Sequence, residues 1–422
     1  MQNEYEFCGD DYMRQMKTVN CSRKSVVILI SVILSVTLFV FGIFAAGDWF
    51  TDKEPVEDYA FSFALVGDTQ VITLKHPNKL SKIYDWLIAN KESKKIAHVF
   101  GLGDITNDST DTEWQTAAQQ IARLDGVIPY SLIRGNHDKA PQFEKFCCTE
   151  TYLAQFDGFY RNAYTNSYRL FSVCDVDFLF ITLDFGASDR ILKWAAELIE
   201  TYPDRKVIIT THAYLHKDGT TLDHNDGPAP TDEEDGQGIV NNGDDMWDRL
   251  ISKYENIFLV VSGHVGSDDV IITQTPGVNG NIVTQMLVDS QTLDKSTPSG
   301  MVVMLYFSND GTTVSVEQYS TIQAKYYRRE SQVDITVPAF FSKEETTVEE
   351  TSAEETLEDT DPIETEEITT EAETTAAPVS ESKDATGEAE GGCASTVGGS
   401  ALVASLLPLL FAAFLKKRDD ER

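Results

Sequence analysis

"IPYSLIRGNHD", residues 128–138, decides how the rest of the chain is read. It begins as a short apolar run with strand character and stops at Asn136, His137 and Asp138, an amide, an imidazole and a carboxylate side by side. Alone, such a triplet fits a Gly-Asn turn as well as a binding site. The two readings separate on whether other apolar runs end the same way.

They do. "YAFSFALVGD" (59–68) stops at Asp68, "IAHVFGLGD" (96–104) at Asp104, "RKVIITTH" (205–212) at His212 and "NIFLVVSGH" (256–264) at His264. Helical patterns lie between them, at Lys79 to Asn90, Thr110 to Leu124, Ser188 to Thr201 and Asp244 to Lys253. Thr110 and Glu113 have capping-box spacing, and Ser188 is placed as a cap. Two adjacent strands are expected at Ser167 to Val173 and Asp177 to Leu183. From Asp269 onward the runs are short and β-patterned. Alternation early and strands late predict a mixed α/β sandwich flanked by helices.

In open α/β sheets the carboxyl ends of strands line the ligand crevice, so the five endings should converge. Asp, Asn and His are oxygen and nitrogen donors suited to Mn, Fe or Zn, and no Cys competes with them here. A single Gly-Asp or a single His after a strand is ordinarily a turn or a satisfied side chain. Five in succession are not explained that way.

The 422 residues carry a formal net charge of −34 and divide by composition. Residues 25–46 form an apolar stretch long enough to span a bilayer, preceded by Lys17, Arg23 and Lys24, and read as a signal anchor or a long signal peptide. Residues 1–24 would then be a cytoplasmic segment. Residues 393–415 are apolar again and precede Lys416, Lys417 and Arg418, the pattern of a C-terminal anchor with a short inner tail, 416–422. Residues 343–390 hold 18 acidic residues against two lysines and no Phe, Tyr or Trp. That composition cannot bury enough apolar surface to fold and predicts an extended, self-repelling stalk. The globular part is 58–335, facing outward if both ends anchor inside, as on a bacterial cell surface. It is acidic and lacks a basic stripe, which argues against nucleic acid as a partner. A small anionic substrate remains compatible, because a metal overrides the local field.

Taken in order, "GDTQ" (67–70), "GDITND" (103–108), "GNHD" (135–138), "TTH" (210–212) and "SGHVG" (262–266) give the chain a resemblance to the calcineurin-like metallophosphoesterases over about Phe61 to His264. The resemblance implies a four-layer α/β/β/α sandwich and phosphomonoester or phosphodiester hydrolysis with two divalent ions, Mn favoured. It implies that Asp104 bridges the ions, that Asn136, His212 and His264 complete one site, and that Asp68 and Gln70 belong to the other. His137, oriented by Asp138, would contact the phosphoryl group or protonate the leaving oxygen. The family pattern has His where this chain has Gln70 and a second His where it has Gly266, so the Asp68 site should bind more weakly, with Asp268 or Asp269 as candidate substitutes. A surface binding module that has lost catalysis is the alternative. Arg134 is a candidate phosphate contact. The polar stretch 217–242, near His216 and His224, is a candidate loop over the cleft, and Cys174 is a candidate disulfide partner for Cys147 or Cys148.

Overall fold

A computed structural model of the protein describes residues 49–161, 163–231, 240–295, 297–328 and 331–339. The segments 1–24, 25–46, 343–390, 393–415 and 416–422 lie outside the described residues. Among the described residues, no helix is long and apolar enough to cross a membrane.

The chain runs through β1 (Phe50–Thr51), β2 (Tyr59–Val66), α1 (Gln70–Lys75), α2 (Pro77–Asn90), β3 (Ile96–Gly101), α3 (Asp111–Ile121) and β4 (Tyr130–Leu132). Next come α4 (Ala140–Cys147), α5 (Glu150–Leu153), β5 (Gly158–Tyr160), β6 (Ala163–Val173), β7 (Val176–Leu183) and α6 (Asp189–Thr201). The remainder is β8 (Lys206–Thr211), α7 (Gly243–Arg249), β9 (Ile257–Ser262), β10 (Ile271–Pro276), β11 (Ile282–Leu287), β12 (Met301–Ser308), β13 (Thr313–Ser320), β14 (Lys325–Tyr327) and β15 (Val333–Thr336).

Two mixed sheets result. One has the order β1-β14-β13-β12-β2-β3-β4 with β15 on β13; the other runs β10-β11-β9-β8-β7-β6-β5. β2, β3 and β4 are mutually parallel, as are β7, β8, β9 and β11. The carboxyl ends of six of these strands, β2, β3, β4, β8, β9 and β11, lead into Asp68, Asp104, Asn136, His212, His264 and Asp289.

Strand periodicity explains the layers. Along β2, Phe61, Phe63 and Leu65 point to the space between the sheets, while Ala64 and Val66 point to the helices. Both faces are covered, so the run reads as nearly continuous apolar sequence. The inter-sheet layer is rich in aromatic rings: Phe61 stacks on Phe307 with centroids 4.6 Å apart, and Phe63 meets Phe178 edge-on at 5.5 Å. A second cluster packs α2, α3 and α4 on the first sheet, and a third packs α6 and α7 on the second. Helix, sheet, sheet and helix thus stack in four layers, as the family resemblance implied.

α3 starts where the capping box places it. The Thr110 hydroxyl accepts from the Glu113 N–H at 3.3 Å, and the Glu113 carboxylate accepts from the Thr110 N–H at 3.1 Å. Ser188 holds the N-cap position of α6 without a side-chain cap bond. The helix begun at Lys79 in the sequence reading starts earlier, at Pro77, because proline suits a first helical turn. The expected disulfide is not present: Cys147 is a buried free thiol in α4, and Cys174 is an exposed free thiol between β6 and β7.

Candidate metal centre

The five strand endings converge. Gly135 and Gly263 let them approach, since a Cβ at Gly135 would lie 2.1 Å from Asp104 Oδ1 and one at Gly263 would lie 2.2 Å from Asp68 Oδ1. Asp104 and His264 both sit in the left-handed region, with φ of 47° and 76°. Such positions are uncommon outside glycine and cluster where function constrains the backbone.

The histidine tautomers tell most about the chemistry. A neutral imidazole has one N–H and one lone pair. His212 Nδ1 lies 2.7 Å from the Leu102 carbonyl oxygen, so its N–H donates there and its Nε2 points the other way. That Nε2 lies 3.2 Å from Asn136 Oδ1 and 3.2 Å from Asp104 Oδ1. His264 is fixed in the reverse sense: Nε2 donates to the Pro228 carbonyl at 2.7 Å, and Nδ1 lies 3.1 Å from Asn136 Oδ1. Burial, reinforced by the neighbouring His212, pushes the His264 pKa down to about 4, which keeps its ring neutral. Burial also pulls His212 down, but the Asp104 carboxylate outweighs it and the net shift is upward. Two ring nitrogens, an amide oxygen and a carboxylate oxygen thus converge on one point. The donor atoms of Asp104, His212 and His264 all lie within 4.8 Å of one another. Backbone carbonyls that hold the outer ring nitrogen are the usual support of metal-binding histidines.

The other side of the centre is made of oxygens. Gln70 begins α1, and its Nε2 donates to Asp104 Oδ2 at 2.8 Å. Its Oε1 is buried without a hydrogen-bond partner among the described residues, which fits an oxygen ligand for a cation. Asp68 accepts from the His264 N–H at 3.1 Å. Burial, Asp289 and Asp104 push the Asp68 carboxyl well above the usual range. Asp289 is pushed up too, by burial against the opposing hydrogen bonds of Gln291. Buried carboxylates gathered in this way need positive charge to stay ionised together. Asp104 is shifted down, because the two histidines beside it outweigh its burial.

His137 lies on the open side. Its N–H donates to Asp104 Oδ1 at 3.0 Å and its Nδ1 lies 2.7 Å from the Asn107 carbonyl, which leaves Nε2 for a ligand. The cleft above these residues measures about 430 Å³ and is also lined by Val71, Leu74, Lys75, Asn107, Gln291 and Lys295.

Several expectations are corrected. Asp138 does not orient the His137 ring. It is fully buried and accepts from the N–H groups of Ile105 (2.9 Å), Thr106 (2.9 Å) and Gly135 (3.2 Å) and from the Thr106 hydroxyl (2.8 Å), clamping the loop after β3; the Asn107 carbonyl takes the orienting role. Arg134 is not a phosphate contact: it is buried and ion-paired to Asp184 at 2.8 Å, and it donates to the Asp138 carbonyl at 3.0 Å. Asp268 and Asp269 turn away, the first to the Thr292 hydroxyl and the second to the Ser331 hydroxyl and Arg328. The loop after His212 touches the centre through Pro228, whereas His216 pairs with Asp218. Asp289 was missed, although "MLVD" (286–289) is one more apolar run stopping at a carboxylate.

Residues 61–268 match the model of the calcineurin-like phosphoesterase family. Among curated proteins the chain is similar to the uncharacterized protein YvnB of Bacillus subtilis, 26% identical over 284 residues, which are 64% of this chain and 20% of that protein. It is also similar to the probable glycerophosphodiester phosphodiesterase GpdQ of Arcobacter nitrofigilis, 26% identical over 171 residues, 39% of this chain and 54% of that protein. The chain thus spans a fifth and about half of the length of these relatives. Among solved structures it is similar to a dimetal phosphatase from Danio rerio, with a TM-score of 0.44 and 13% identity, covering 67% of this chain and 100% of that one. A purple acid phosphatase, PPD1, from yellow lupin follows at 0.42 and 13%, covering 68% and 55%. With its motifs in family order and its model matched from strand β2 to just past His264, this chain carries a calcineurin-like phosphoesterase domain over residues 61–268.

Proposed function

We propose that the domain is a metal-dependent phosphoesterase acting on a small phosphorylated substrate, and that the chain presents it on the outer face of a membrane. The observation that carries the catalytic reading is the pair of histidines whose backbone-fixed tautomers aim Nε2 of His212 and Nδ1 of His264 at Asn136 Oδ1. The neutral His264 ring in that tautomer cannot donate to that oxygen, and two ring nitrogens converging on an amide oxygen beside the Asp104 carboxylate suit a cation held among them.

Asp104, Asn136, His212 and His264 would hold one cation, and Asp68, Gln70 and Asp104 would contribute to a second. When bound, divalent ions supply Lewis-acid polarisation of a phosphoryl oxygen and acidify a water molecule. Mn suits the mixed oxygen and nitrogen set. The chain's own residues do the rest. His137, held by the Asn107 carbonyl through Nδ1, presents Nε2 to the cleft and carries the proton needed by a poor leaving oxygen. Lys75 and Lys295 at the rim favour an anionic ester. Leu74, 43% exposed at the same rim, offers a small apolar contact for the alcohol portion.

Phosphate release from an aryl phosphate should disappear after chelation and return with added Mn; hydrolysis indifferent to chelator would refute the reading. The outward placement rests on the apolar segments 25–46 and 393–415 and their basic flanks. Protease added to intact cells should cleave the domain free, and full protection in intact but not lysed cells would refute that placement.

A further inference from the structure

The family pattern places a second histidine at the position of Gly266, and this chain offers no side chain there. The space is not left without a donor. A Cβ built on Gly266 would lie 3.8 Å from Asp289 Oδ2 and 3.2 Å from Thr292 Cγ2. Asp289 therefore brings a carboxylate, from a different strand, to where a side chain at 266 would reach. It follows β11, whose parallel partner β9 leads into His264. At Gly67 a Cβ would lie 2.5 Å from the Val288 carbonyl oxygen, so the backbones carrying Asp68 and Asp289 run in contact.

Three features set Asp289 apart from an ordinary buried acid. It is fully buried; Gln291 donates to its carboxylate twice, from the N–H to Oδ1 at 3.0 Å and from Nε2 to Oδ2 at 3.0 Å, and the Asp68 carboxyl lies beside it within side-chain hydrogen-bonding reach. The same Gln291 amide reaches Asp68 Oδ2 at 3.4 Å, so one side chain aligns both carboxylates. Gln70, only 4% exposed, lines the cleft that Gln291 also lines, and its Oε1 is unpartnered among the described residues, an independent sign that this wall expects a ligand.

We infer that Asp289 is a ligand of the cation on the Asp68 side, standing in for the histidine that position 266 lacks, and that Gln291 is the positioning residue for its carboxylate. The inference rests on the metal-dependent reading above. The set Asp68, Gln70, Asp104 and Asp289 is then all-oxygen, unlike the nitrogen-rich set around His212. An all-oxygen site with three carboxylates selects Mn or Mg over Zn. The departures at positions 70 and 266 become a change of metal preference instead of a loss of the site.

The test counts ions on the full chain. Metal is stripped with a chelator, Mn is added back, and bound Mn is measured after gel filtration together with the paramagnetic resonance signature of a coupled Mn pair. The wild-type chain should hold two Mn and show coupling. D289N and D289A should hold one, lose the coupled signal and weaken the second Mn by roughly 100-fold or more. Q291A should weaken it by about tenfold, the scale of an outer-shell partner. G266H added to D289A should restore the second ion, because Gly266 lies outside the positive-φ region and its Cβ direction meets the space vacated by the carboxylate. Two Mn retained at wild-type affinity in D289N and D289A would overturn the inference and leave the metal-dependent reading intact. A wild-type chain that binds no Mn would instead overturn that underlying reading. Unfolding curves guard against misfolding: metal-free D289N should be at least as stable as the wild type, since it loses one of three crowded carboxylates. A D289A/G266H chain that folds but stays at one Mn would also count against Asp289 as the stand-in ligand.

Discussion

His137 and Arg134 stand three positions apart on the same strand ending, yet they face opposite ways. His137 and Asn136 open onto the cleft, while Arg134 and Asp138 turn into the scaffold and meet Asp184 and the loop after β3. All four are polar and all belong to one short motif. What separates them is burial and partner: Asp138 spends its oxygens on backbone N–H groups, and Arg134 spends its guanidinium on a carboxylate 50 positions away. A motif names a place in the fold, and only packing divides it into groups that touch substrate and groups that hold the wall.

The sharpest way to break this contrast is on the cleft side. His137→Ala should cut turnover by about 10²–10⁴ on esters with poor leaving groups, and much less on aryl phosphates that need no proton. Its unfolding curve should match the wild type. Equal losses on both substrates would remove the proton-donor role and blur the line between cleft and wall.

On the wall side the signature is reversed. Arg134→Met leaves the partly buried Asp184 without its guanidinium partner, a change that costs about 3 kcal/mol of stability. Burial already raises the Asp184 carboxyl against the pull of Arg134. The folded fraction should keep its KM; a raised KM with unchanged stability would return Arg134 to the substrate.

The smallest effect refines the wall further out, at the capping box of α3. Thr110→Ala should cost about 1 kcal/mol near neutral pH, read from denaturant midpoints. Burial would raise the Glu113 carboxyl, but hydrogen bonds from Thr110, Asn107 and Asp108 outweigh it and hold it below its ordinary value of 4.5. A lowered folded pKa stabilises above the unfolded value and loses that contribution as pH falls through the folded one. The part of the cap carried by ionised Glu113 should therefore fade below about pH 4. A penalty that grows on acidification would contradict the assigned bonds.

Much of this was legible in the sequence because it depends on local rules. Apolar runs of strand length ending on Asp68, Asp104, Asn136, His212 and His264 predicted convergence, and the Thr110–Glu113 spacing predicted where α3 begins. What could not be read depends on partners far along the chain. The inward turn of Arg134 is set by Asp184 at the end of β7, and the clamp by Asp138 is set by backbone groups of Ile105 and Thr106. Asp289 had the same signature as the other endings, an apolar run stopped by a carboxylate. It was hidden because it lies in a region of short strands and matches no element of the family pattern. Only the sheet order, with β11 beside β9, brings it next to Asp68. The charged stalk and apolar ends are compositional readings and lie outside the described residues.

Everything functional here depends on divalent ions being held where acceptor atoms from separate strands face one another. Anomalous diffraction from Mn-loaded crystals measures that directly. The account predicts a strong peak within bonding distance of Asp104, Asn136, His212 and His264, with a second beside Asp68, Gln70 and Asp289. Crystals that show Mn elsewhere on the surface and no peak among these side chains would contradict it.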